Sequence, residues 1–197
     1  MKTGYKIILG IIGGLILYQI INDTHENIER RTLYQQARAF CDGRQKPLLV
    51  VGMKRHWWQP PDGDITIDID PLVEQIPGGV LADERNIPFD DKTFGACYNA
   101  HTLEHMATIT DMEKAITECL RVADRVYFLV PSWYSITANF LCASHHLRMK
   151  FDQSTQSIYV APNNFPKFGL GHTGGQYEGP VMQSLVVENM PDMIIIE

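Results

Sequence analysis

Residues 80–105, VLADERNIPFDDKTFGACYNAHTLEH, switch between apolar runs and polar stops in a way few architectures satisfy. The run Gly79-Val80-Leu81-Ala82 halts on two acids, Asp83-Glu84. After Ile87-Pro88-Phe89 and an acidic turn at Asp90-Asp91, a second run over residues 94–98 ends in Asn99-Ala100-His101. Short apolar runs bounded by turn residues are the pattern of strands buried on both faces. The first reads as such a buried strand and the second as its neighbour in the same sheet. In open α/β sheets, ligands lie outside the carboxyl ends of the strands. The acids and His101 therefore stand where a ligand would be met.

The flanking chain supplies the rest of such a sheet. Lys46-Pro47 introduces LLVVG at residues 48–52, a buried strand ending on glycine, and DITIDID at residues 64–70 alternates and closes at Pro71. Eleven residues, MKRHWWQPPDG, separate them. Two prolines and a glycine there leave room for at most one helical turn, so the usual crossover helix is missing. Met112, Ala115, Ile116, Cys119 and Leu120 share one face of a helix over residues 109–123. A strand at 126–130 follows, stopped by Pro131. Residues 140–150 read as helical, and residues 163–179, rich in Gly, Pro and Asn, as a loop of the kind that forms lids. Residues 184–188 and 193–196, parted by Asn189-Met190-Pro191-Asp192, read as a terminal hairpin.

The acid at Asp83, the Ile87-Pro88-Phe89 triplet, the turn before Phe94 and the Leu103-Glu104-His105 triplet follow one another in a familiar order. In these residues the chain resembles the class I S-adenosylmethionine-dependent methyltransferases, whose wording is an acid, "lPF", a turn, "F-D-x-v" and "LEH". The segment ECLRVADRVYFLVP is similar to their "E-x-x-R-V-L…P". The resemblance covers residues 48–133 and implies a Rossmann-like, mostly parallel sheet closed by an antiparallel pair. It also implies S-adenosylmethionine as cofactor. On the family pattern Asp68 accepts the ribose hydroxyls, with Asp70 the next candidate on the same face. Asp83, beside Glu84, accepts the adenine amino group, and Gly52 is the first glycine of the cofactor loop. Lys54 stands where the second glycine belongs, and it or Arg55 either pairs with the cofactor's carboxylate or blocks the pocket. Gly95 stands in place of the aspartate of "F-D". His101 and His105 are candidates for a general base.

Residues 7–21, IILGIIGGLILYQII, carry no charge. With Gly4, Tyr5 and Lys6 they span roughly 27 Å as a helix, close to the ~30 Å hydrocarbon layer. No small-x-small cleavage site follows, so an uncleaved single-pass anchor is expected over residues 1–22. Gly10 and Gly14 form a G-x-x-x-G, a weak signal for a homodimer. Asp23 with Glu26 resembles a capping box opening a separate amphipathic linker helix over 23–45, and residues 46–197 form the methyltransferase-like domain. A net charge of −6 argues against a nucleic-acid partner. Four cysteines without short spacings fit a reduced compartment. The domain is expected to face the cytoplasm, where the cofactor is made available.

Three functions follow. The first is a membrane-anchored methyltransferase with a small or lipid-like acceptor. The second, kept close by the altered glycine loop, is an inactive methyltransferase-like scaffold or membrane-complex subunit. The distant third is a zinc hydrolase, because His101-Thr102-Leu103-Glu104-His105 matches H-x-x-E-H and His145-His146 offer a further ligand. The resemblance accounts for Leu103, Glu104 and His105 without a metal, so no metal is expected.

Overall fold

The computed structural model describes residues 2–133, 135–152, 157–163, 183–187 and 194–196. One helix, α1 (Lys2–Arg44), leads into β1 (Leu48–Val51), β2 (Ile65–Asp68) and β3 (Gly79–Leu81). Then come β4 (Phe94–Ala100), α2 (Ile109–Val122) and β5 (Ala123–Val130). The remaining strands are β6 (Leu147–Asp152), β7 (Ser157–Pro162), β8 (Gln183–Val187) and β9 (Ile194–Ile196). The main sheet has the order β3-β2-β1-β4-β5-β8, parallel throughout except for β8, which runs antiparallel to β5. This is a Rossmann-like sheet, and its order reverses between β1 and β4, the switch point where ligands of such folds bind.

Alternation along each strand divides the core between two faces. Leu48, Val50, Ala96, Tyr98, Tyr127 and Leu129 pack under Leu33, Tyr34, Ala37 and Cys41 of α1. Leu49, Val51, Cys97, Val126, Phe128 and Val130 pack under Met112, Ala115, Ile116 and Cys119 of α2. Leu147, Met149, Ile158 and Val160, from a second sheet of order β6-β7-β9, join this latter core. Thr108 caps α2 by accepting from the Asp111 amide.

α1 lies antiparallel to β4. Cys41 is beside Gly95, the Tyr98 hydroxyl donates to the Arg30 carbonyl (3.1 Å), and His101 Nε2 lies 3.3 Å from Glu26 Oε1. The carboxyl edge of the sheet thus points back along α1 toward its apolar half. A Cβ at Gly95 would sit 3.1 Å from Cys41 Sγ and 3.2 Å from Cys41 Cα. Close packing of α1 on β4 accounts for glycine where the family has aspartate.

Several expectations need correction. α1 runs unbroken through Asp23, whose carboxylate accepts from Gln19 one turn earlier instead of capping a new helix. β3 is not buried and does not neighbour β4: it is the sheet edge, with two strands between them. Residues 140–150 are not a helix. A π-type turn at Thr137–Leu141 gives way to β6, in which Leu147 and Met149 face the core while Arg148, over the Trp133 ring, and the exposed Lys150 lie on the other face. The terminal pair is not a hairpin, since β8 joins the main sheet and β9 pairs with β7. The loop expected over residues 163–179 lies, apart from Asn163, outside the described residues.

Candidate functional site

Every strand-end residue singled out in the sequence lies at the carboxyl edge of the sheet. Gly52 leaves β1 at φ +84° and donates its N–H to the Ile67 carbonyl (2.8 Å). An L residue is strained there, and a Cβ would lie 3.2 Å from the Thr102 methyl. Asp68, ending β2, accepts from the Met53 amide (2.9 Å) and the Asp70 amide (2.9 Å). Arg55 reaches across to both acids, 3.3 Å from Asp68 and 2.9 Å from Asp70. Asp70 also caps the short turn Pro71–Gln75, and the Leu72 amide and Arg55 hold its carboxyl below the usual range. Lys54 is exposed, its amide held by Asp62.

At the end of β3 the two neighbouring acids part company. Asp83 is held by a bidentate pair with Arg85, which lowers its pKa. Glu84 turns inward, 7% exposed, where it accepts from Asn99 Nδ2 (2.6 Å) and Thr102 Oγ1 (3.0 Å). Burial pushes its carboxyl up to about 7, against the pull of those two bonds and with the help of Glu104's charge. The sequence grouped Glu84 with Asp83 as cofactor contacts; the fold brings Glu84 together with Asn99, Thr102 and Gly52 beneath the switch point. Asn99 and Thr102 were missed, although a polar residue closing an apolar strand was the available signal.

His101 ends β4 at φ +61°, a conformation that non-glycine residues seldom adopt. It stands between Glu26 of α1 and Glu104, with Nδ1 3.3 Å from Glu104 Oε1. Leu103–His105 is a single 3-10 turn, so H-x-x-E-H is not displayed on a helix face. The side chains whose donor atoms converge are Glu104, His105 and His145, not the three of the linear motif. Glu104 is 2% exposed. Burial alone would raise its carboxyl, but His101 and the fields of His145 and His105 outweigh that and hold it down to about 2.

The donor set fits an adenosyl cofactor in kind: a positive-φ glycine after β1, acids closing β2 and β3, and a polar end to β4. It fits less well in its present pairing, because Arg55 and Arg85 pair with Asp68 and Asp83, the carboxylates to which the resemblance assigns ribose and adenine. None of the four cysteines forms a disulfide. Among the described residues one helix, α1, is long and apolar enough to cross a membrane. No curated protein gives a significant match to the chain. A family model described as "Methyltransferase domain" matches residues 67–125, the stretch from β2 into β5 that contains Asp68, Asp83, Asn99, His101 and Glu104. That match, on a sheet of this order, supports a class I S-adenosylmethionine-dependent methyltransferase family, one that generally uses S-adenosylmethionine.

Proposed function

We propose that this chain is a membrane-tethered S-adenosylmethionine-dependent methyltransferase whose acceptor is lipid-like or a small molecule dissolved at the bilayer surface. The observation that carries the reading is positional. Glu26, which meets His101 at the carboxyl edge, lies only five residues beyond Ile21, the end of the apolar run. Five residues of helix advance about 7 Å. A site at that edge opens next to the bilayer, within reach of an acceptor that remains in it. The side chains of residues 7–12 and 15–17, together with Ile20 and Ile21, are exposed, and an apolar surface of this extent calls for a covering that a bilayer would provide.

When bound, the cofactor would supply an electrophilic methyl group. Asp68 would accept from the ribose hydroxyls and Asp83 from the adenine amino group. Gly52 would let main chain approach, and Lys54 would face the amino-acid carboxylate. His101 or His105 would take the acceptor's proton. Before any of this, Arg55 must release Asp68 and Asp70. That ion pair is also what favours the second reading, a scaffold that no longer binds cofactor. Calorimetric titration of the detergent-solubilised full chain with S-adenosylmethionine and S-adenosylhomocysteine separates the two. Saturable binding lost in Asp68→Ala supports the enzyme, whereas a folded sample that binds neither supports the scaffold.

A further inference from the structure

We propose that Glu104, His105 and His145 form a binding site for one divalent d-block ion of the zinc type; with His105 as a ligand, the general-base role in methyl transfer falls to His101. The three side chains place their donor atoms within 4.8 Å of one another. A tetrahedral centre with bonds of about 2.05 Å sets its ligands roughly 3.4 Å apart, so a small contraction closes the set. Glu104 Oε1 and His145 Nε2 are already 3.8 Å apart.

Main-chain bonds hold the two contributing segments in register. The His146 amide donates to the Glu104 carbonyl (2.8 Å), and Asn163 Nδ2 donates to the His145 carbonyl (2.7 Å). His105 Nδ1 lies 2.9 Å from the Ser144 carbonyl. A carbonyl only accepts, so Nδ1 carries the proton and Nε2 keeps its lone pair. This is the arrangement by which metal-binding histidines are oriented.

Glu104 supplies a second, independent observation. Both carboxylate oxygens are fully buried and neither has a hydrogen-bond partner. The nearby imidazoles attract Oε1 at 3.3 and 3.8 Å without a well-formed bond. A buried carboxylate whose oxygens form no hydrogen bond keeps lone pairs that a cation can take. His105 is exposed, so a fourth position would open to solvent. Two imidazoles, one carboxylate and an open position make a donor set suited to zinc.

The test is a Co²⁺ titration of the full chain in detergent, purified without a histidine tag and stripped by chelator. One equivalent per chain should bind with the visible absorption of a four-coordinate ion, and Zn²⁺ should displace it. His105→Ala, at an exposed position, and His145→Ala should each weaken binding beyond the roughly 10–100-fold typical of outer-shell changes. Absence of saturable absorption overturns the proposal, as does one-equivalent binding that persists unchanged in both variants.

Discussion

Glu84 makes the interior of this fold sensitive to pH in a direction opposite to most acids. Burial lifts its carboxyl from the ordinary 4.5 to about 7. Between those values the folded chain keeps a proton that the unfolded chain has released, so stability falls as pH rises through the window and levels off above it. A shift of this size is worth about 3 kcal/mol between the two protonation states. Glu84→Gln preserves the shape and leaves an oxygen to accept from Asn99 and Thr102, while removing the charge. The stability advantage of the variant over the wild type should therefore grow by about 2.5 kcal/mol between pH 5 and pH 8. Urea unfolding of the full chain in detergent, followed by tryptophan fluorescence, measures that gap. A gap that stays constant over this range would refute the raised carboxyl. A gap that shrinks would mean the ionised form has a favourable partner.

Two further substitutions probe the site and its support. Arg55→Ala frees Asp68 and Asp70 from half-exposed ion pairs worth about 0.2–1 kcal/mol each. Cofactor affinity by calorimetry should then rise between about twofold and thirtyfold, whereas a fall would make Arg55 a cofactor contact. Gly79→Ala would set a Cβ 1.8 Å from the Val73 carbonyl oxygen. The edge strand and the turn before it must shift, and the midpoint in urea should drop by an amount equivalent to about 1–3 kcal/mol; an unchanged midpoint would show that this corner is loosely held.

The sheet was readable where local chemistry and tertiary role coincide. The apolar faces of β1 and α2, and the acids ending β2 and β3, announce themselves because each is set by its own few residues. Other features are decided by distant contacts. Leu147 and Met149 alternate as a strand should, but so short a stretch after Phe140 and Leu141 also suits a helix, and only the α2-side core selects between them. Asp23 carries the chemistry of a cap, yet residues 15–42 hold no glycine or proline to break the helix, and α1 continues. Gly95 departs from the motif at the point where Cys41 packs against it. His145 lies forty residues from His105, and nothing in the sequence between them indicates that they meet. Glu84 and Asp83 are adjacent and alike, and only the turn that follows β3 decides which one faces the core.

The continuity of α1 also changes where the folded domain begins. A boundary at residue 46 would be natural if residues 23–45 were a separate linker. Yet Leu33, Ala37 and Cys41 are buried to 3% exposure or less against Leu48, Val50, Ala96, Tyr98, Tyr127 and Leu129. Arg38 pairs with Asp64 at 2.6 Å, and the same carboxylate accepts from the Leu48 amide. Burying a leucine or an aromatic contributes about 1.5–3 kcal/mol. Removing Leu33 and Tyr34 with their neighbours, and exposing the six residues they cover, costs an amount comparable to the ~5–15 kcal/mol that holds a domain together. A fragment of residues 23–197 should therefore unfold cooperatively and stay soluble without detergent, while a fragment of residues 46–197 should aggregate or lack a transition. Thermal melts by circular dichroism, with sedimentation to check solubility, distinguish them. Equal, cooperative melting of both would show that α1 merely rests on the sheet. Cooperative melting of the longer fragment alone would mean that the second half of one rod, about 65 Å long, is part of the domain's core. With the apolar first half in a bilayer, as the proposed function has it, the carboxyl edge of the sheet would be held at a fixed height above the membrane, and acceptors would have to come to it there.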